Sequence, residues 1–261
     1  AFTRKGGVRE LEAYDVEQLQ AGWYLDWSVD RYPSHVGGLE YAQMIRLHQL
    51  TACWPERIRN RELCPYTEPY TYTLVWPPSR DHVVSIAQAN PGSLWLLGNE
   101  MDRYDWGVRD PDNPGEYLIP SGGQDEMLPQ VYAQAYHEFY HLIKDADPEA
   151  RVAIGGIVQP TPLRLLYLDM VLDAYQDRYG QELPVDAWNI HNSILREADC
   201  DVYPYSCWGA EIPPGIDAAR GELYNIDDHD DMTLFIDHIL AFRQWMADQG
   251  QRNKPLIVSE Y

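Results

Sequence analysis

The chain alternates short apolar runs, set off by Gly, Pro and Asn, with longer segments whose apolar residues recur every three or four positions. Such runs read as buried strands and the spaced segments as amphipathic helices, so their order predicts parallel βαβ units. A helix is expected over 8–20, from Val8, Leu11, Val16 and Leu19 to a stop at Gly22. Strands are expected over 22–28, 40–47 and 71–76, the last running into Pro77-Pro78. A short helix over 81–89 breaks at Asn90-Pro91-Gly92 before a strand over 93–100. After a Gly-, Pro- and Asp-rich loop over 101–128, Pro129 is placed to open a helix with a face of Val131, Ala135, Phe139, Leu142 and Ile143. A strand over 151–158, a helix over 163–179 capped by Gly180, and a strand over 184–191 follow. A second long loop leads to a helix over 231–249 (Phe235, Ile239, Phe242, Met246) and a final strand over 255–260.

That makes seven strand candidates in 261 residues with no low-complexity linker, which fits a single domain over 1–261. A barrel takes about 250 residues. A doubly wound sheet is the competing architecture, but it would carry a Gly-rich phosphate loop after its first strand, and Trp23–Ser28 leads into none. The expected fold is therefore an α/β barrel of the (β/α)8 TIM type, truncated in this chain after the seventh strand.

Two of these strands end in a carboxylate. Ser93–Glu100 closes on Asn99-Glu100, and Pro255–Glu260 closes on Ser259-Glu260. A carboxylate at the end of an apolar strand is costly unless it lies at the sheet rim, where side chains converge on a cleft. Two such glutamates are what glycoside hydrolysis needs, one as acid and base and one as nucleophile. The ordinary alternative is a strand-terminal Glu that pairs with a neighbouring helix.

Leu96-Leu97-Gly98-Asn99-Glu100, followed by Asp102, resembles the fourth-strand signature of the clan-A glycoside hydrolases. Leu256–Tyr261 is similar to the segment that carries their nucleophile, and Val185–His191 to the strand that ends in an active-site His. The nearest subgroup is the glycosyl hydrolase catalytic core related to endo-β-1,3-glucanases, whose Trp- and Tyr-rich first strand is similar to Gly22–Trp27. The resemblance implies a retaining hydrolase of β-linked poly- or oligosaccharide that uses no cofactor. Glu100 would be the acid/base and Glu260 the nucleophile. Asn99 would bind the sugar 2-hydroxyl, His191 would hold a carboxylate or hydroxyl, and Arg46 would pair with Glu260. Asp102 belongs to the same motif and joins the candidate sugar contacts.

Three features depart from the family pattern: Met101 stands where Pro is common, Ser193 where Tyr is common, and the chain stops one residue past Glu260. A non-catalytic carbohydrate-binding barrel is the alternative that the last departure raises.

Nine Trp and nineteen Tyr against four Phe favour residues that stack on sugar rings and still hydrogen-bond at the edge. Trp23, Trp27, Trp76, Tyr104, Trp106 and Trp208 fall in expected rim segments, whereas Trp95 and Trp188 lie within strands and read as packing. The net charge of −21 argues against a nucleic-acid partner. No apolar run approaches the roughly 18 residues that span a membrane. Cys53 with Cys64 and Cys200 with Cys207 form two local pairs in loop-like stretches. Two disulfides would fit an extracellular or cell-surface enzyme, and four free thiols a cytosolic one. The chain opens on Ala, as a trimmed or mature form would. The acidic run Asp227–Asp231 reads as a helix cap, with structural calcium as the alternative.

Overall fold

In the computed structural model, residues 21–56, 58, 60–105, 108–109, 117–119, 123–198 and 209–261 are described. The expected helix over 8–20, the Cys200–Cys207 pair, Trp106 and Trp208 lie outside them.

The strands are β1 (Trp23–Tyr24), β2 (Glu40–Tyr41), β3 (Gln43–Gln49), β4 (Tyr72–Trp76), β5 (Leu94–Asn99), β6 (Val108–Arg109), β7 (Tyr117–Ile119), β8 (Arg151–Gly156), β9 (Trp188–His191) and β10 (Leu256–Glu260). The α-helices are α1 (Arg80–Ala89), α2 (Pro129–Ala146), α3 (Pro162–Tyr179) and α4 (Met232–Asp248). β3, β5 and β8 are parallel neighbours and form a four-stranded sheet with β4. β9 and β10 pair in parallel. Parallel bridges at Ala153–Ala187 and Ile157–Ile190 set β9 beside β8. β1 runs parallel to β2, and Ala42 N and Met44 N donate to the carbonyls of Tyr24 and Ser28.

The described residues do not form the expected (β/α)8 barrel. Among the described residues the strands make sheets of two to four members, and β10 pairs only with β9. Two local causes account for this. β1 is two residues long, because Trp27 turns into a left-handed conformation (φ 55°) and ends the extension. The 71–76 strand returns antiparallel to β3. A parallel return needs a crossover, usually a helix, and the described residues of 50–71 contain none. The 101–128 loop also contains a short antiparallel hairpin, β6–β7, that its composition did not reveal.

Side chains alternate across the strands. One face joins α1 to α4 in a continuous core that includes Val152, Ile154, Trp188, Ile190, Phe242 and Trp245. The other face gathers Leu25, Ala42, Met44, Leu94, Leu96, Ala153 and Ala187, with Trp23, Trp27 and Ile257 packed against them. Both faces of the parallel strands are thus buried, which explains their unbroken apolar sequences. Trp95 and Trp188 are packing residues. Pro129 opens α2, and Gly180 (φ 68°) caps α3 in the left-handed conformation that its lack of a side chain permits. Asp231 caps α4 by accepting from the amides of Thr233 and Leu234, and Asp228 belongs to a capping box with Asn225, so the acidic run serves helix starts.

Cys53 and Cys64 form a disulfide, and their Cα atoms lie 5.5 Å apart. It closes a small loop between β3 and β4. Reduction should lower stability by about 2–3 kcal/mol, the chain-entropy value for a loop of this size, read as a drop in melting temperature with dithiothreitol. No described helix is long and apolar enough to cross a membrane.

Candidate functional site

β5, β8, β9 and β10 follow one another in that order and end at one rim, with Asn99 paired to Gly156 at the end of β8 and Glu260 aligned with His191. Glu100 follows β5 directly and adopts φ 48°. Its side chain is buried, but it does not lack partners. His191 Nδ1 lies 3.1 Å from Oε1, Gln124 Nε2 donates to Oε2 at 2.9 Å, and Arg103 Nη1 donates to Oε2 at 3.2 Å. The same imidazole turns its other nitrogen toward Glu260, with Nε2 3.5 Å from Oε1. Trp27 Nε1 donates to that oxygen at 2.5 Å. One donor atom from each of Glu100, His191 and Glu260 lies within 4.8 Å of the other two.

Electrostatics follow from that geometry. Burial would raise the Glu100 pKa, but the hydrogen bond and charge of His191, with Arg103 and Gln124, hold it well below the ordinary 4.5. Burial would lower the His191 pKa, yet Glu100, Glu260 and Asp102 raise it above 6.5.

This has a sign for stability. The Glu100 contribution is present above 4.5 and is lost as pH falls toward the lower native pKa. The His191 contribution is present below 6.5 and is lost as pH rises through the higher native pKa. The pair should stabilise the fold most between these values. In calorimetric scans, His191→Asn should show a smaller loss of melting temperature above pH 6.5 than the parent. An identical alkaline decline would refute the pairing.

Tight backbone approach makes room for the imidazole. A Cβ on Gly156 would come within 2.5 Å of His191 Nε2 and 3.2 Å of Asn189 Nδ2. Gly156→Ala should push His191 from its place and cost about 1–3 kcal/mol as overpacking, measured by denaturant unfolding.

Trp27, Glu100 and Glu211 are the three non-glycine residues with positive φ among the described residues. All three belong to this network, since Arg103 Nε lies 3.9 Å from Glu211 Oε2. Left-handed backbone at such residues costs about 1–3 kcal/mol each and concentrates at functional sites.

Other expected site residues lie elsewhere in the network. Arg46 does not pair with Glu260. Its guanidinium holds Asp125 at 2.8 Å, and Asp125 in turn accepts from the amides of Leu47 and Asn99, bracing β3 against β5. Asp102 is fully buried, accepts from Val158 N and pairs with Arg164 at 3.0 Å, so it supports the backbone behind Glu100 and offers nothing to a sugar. Arg164 also holds Glu197 at 3.0 Å and the carbonyls of Ala210 and Glu211. Asn99 is buried, and its Nδ2 donates to Gly123 O. Tyr104 lies beneath the Arg61 guanidinium, 5.8 Å from its ring centre. Trp23 packs in the inner cluster beside Trp27. Sequence reasoning missed Arg103, Gln124, Asp125 and Arg164. Arg103 carried a signal, a cation three residues after Glu100 in a turn. The other three reach the site only through tertiary contacts.

No protein-family model matches the chain, and no curated protein matches it.

Proposed function

We propose that the protein is a retaining glycoside hydrolase acting on β-linked poly- or oligosaccharide, with Glu260 as nucleophile and Glu100 as acid/base. The observation that carries this reading is the closeness of the two carboxylates, whose donor atoms lie within 4.8 Å at strand ends on the same rim. Double displacement uses carboxyl groups about 5–5.5 Å apart, whereas inversion needs roughly 6.5–9.5 Å to admit water between them. Glu260 is the more open of the two, at 31% side-chain exposure, as suits a group that attacks the anomeric carbon. Trp27 steers one of its oxygens and leaves the other for attack.

The acid proton is assigned to the Glu100–His191 pair, whose facing atoms lie 3.1 Å apart. Glu100 and His191 thus act as one proton-holding unit whose two titrations belong to the pair. Transfer to Glu100 and then to the glycosidic oxygen releases the leaving group. Glu100 later accepts a proton from the water that hydrolyses the glycosyl-enzyme. Trp27, in contact with Glu260, is the described aromatic assigned to sugar stacking. The Cys53–Cys64 disulfide fits an extracellular or cell-surface location.

The test is trapping. A panel of activated 2-deoxy-2-fluoro β-glycosides should add one sugar mass to the chain, on the peptide that contains Glu260. Labelling at Glu260 supports the assignment. Turnover of substrate with inversion at the anomeric centre, or labelling of another residue, overturns it.

A further inference from the structure

We infer that the His191–Glu260 pair, backed by Glu100, is a binding site for a divalent transition ion of the zinc class, with His191 Nε2 and Glu260 as its protein ligands. His191 Nε2 is fully buried and has no hydrogen-bond partner. It points at Glu260 Oε1 across 3.5 Å, too long for a normal hydrogen bond. Two donors that each sit about 2.0–2.1 Å from one tetrahedral ion are separated by roughly 3.3 Å, close to the spacing seen here. The pair is therefore spaced to accept an ion between its members with little movement.

The surroundings are those of a ligating imidazole. Glu100 Oε1 lies 3.1 Å from Nδ1, the outer carboxylate contact that keeps the proton on that nitrogen, so that an ion which displaces any proton from Nε2 meets its lone pair. Glu100 is itself held by Gln124 and Arg103, so the chain of support continues outward. Trp27 orients Glu260, and the partial exposure of Glu260 provides a path for the ion. Gly156 adds no side chain of its own beside Nε2. One imidazole with carboxylates suits zinc, cobalt or nickel better than calcium or magnesium, which prefer all-oxygen shells. Such an ion would hold the oxygens of Glu260 and exclude a sugar from them. That competition rests on the glycosidase reading; the binding itself does not.

Cobalt(II) is the probe, because its visible absorption reports nitrogen and carboxylate ligation directly. The His137–His141 pair on α2 could capture the same probe, its rings lying 4.5 Å apart, so titrations use the whole chain carrying His141→Ala. The expected result is saturable binding of one cobalt per chain, displaced by zinc. Binding should be lost in both His191→Asn and Glu260→Gln, and weakened about 10–100-fold in Glu100→Gln. Far-UV circular dichroism confirms that each variant is folded. Absence of saturable binding at millimolar cobalt overturns the site, as does binding that survives in folded His191→Asn or Glu260→Gln. No turnover is read, so this failure is distinct from failure to trap a glycosyl-enzyme.

Discussion

Glu100→Gln should lower turnover of a natural β-glycoside by about 10²–10⁴-fold, the usual contribution of a positioned general acid and base. In free energy that is roughly 2.7–5.5 kcal/mol of transition-state stabilisation. The loss should depend on the leaving group. An aryl glycoside with an acidic phenol departs without protonation, so its glycosylation step should be spared while hydrolysis of the intermediate slows. A burst of phenol followed by a slow phase is the expected trace, and azide should restore the slow phase by replacing activated water. Glu260→Gln should lose at least as much on both substrates, because no bond to the anomeric carbon can form. The two variants remove different partners of one imidazole, so their effects on binding should also diverge. Glu100→Gln keeps Glu260 and its contact with Trp27, and should still bind an oligosaccharide. If both variants turn over at parental rates, the carboxylate pair is structural and the proposed function fails.

Arg164 is the residue whose loss should cost most in stability. It is fully buried and neutralises two buried carboxylates, Asp102 and Glu197, each at 3.0 Å. It also donates to two carbonyls in the 210–211 segment. Arg164→Met keeps much of the side-chain volume but leaves both carboxylates unpaired, and breaking a buried pair in this way costs about 3–5 kcal/mol. For a domain of this size that is on the order of 6–20 °C in melting temperature. Adding Asp102→Asn and Glu197→Gln should return a large part of the loss, since the uncompensated charge then disappears. A single-variant loss below about 1 kcal/mol would mean that water reaches these groups. The network also fixes the 210–211 backbone, where Glu211 carries its left-handed conformation beside Arg103. Some loss of activity should therefore accompany the loss of stability.

Much of the element order was legible because local patterning and packing agree. α1, α2, α3 and α4 lie within one or two residues of their expected spans, and Gly180, Pro129 and Asp231 act at helix ends as their chemistry requires. β5 and β8 were legible as apolar runs because both faces of these strands are covered, and β10 because its apolar residues pack, partly buried, against both clusters. Strand direction was not legible. The sequence of β4 has the same character as a parallel strand, and its antiparallel return follows from a connection with no helix among its described residues. Closure of the sheet was overestimated for a similar reason. A count of strand candidates says nothing of how far each stays extended, and Trp27 ends β1 almost at once.

By itself the sequence placed Glu100, His191 and Glu260 at strand ends, because an abrupt change from apolar to ionisable residues marks where a buried strand reaches the rim. The tertiary structure alone decided what those groups touch. Arg46, expected beside Glu260, belongs to Asp125, and Asp102 belongs to Arg164. Arg103 and Gln124 instead hold Glu100. Periodicity and burial act over a few neighbouring residues and are written in the chain. The pairing of buried charges depends on distances of a few ångströms between segments tens of residues apart, and only the fold sets those.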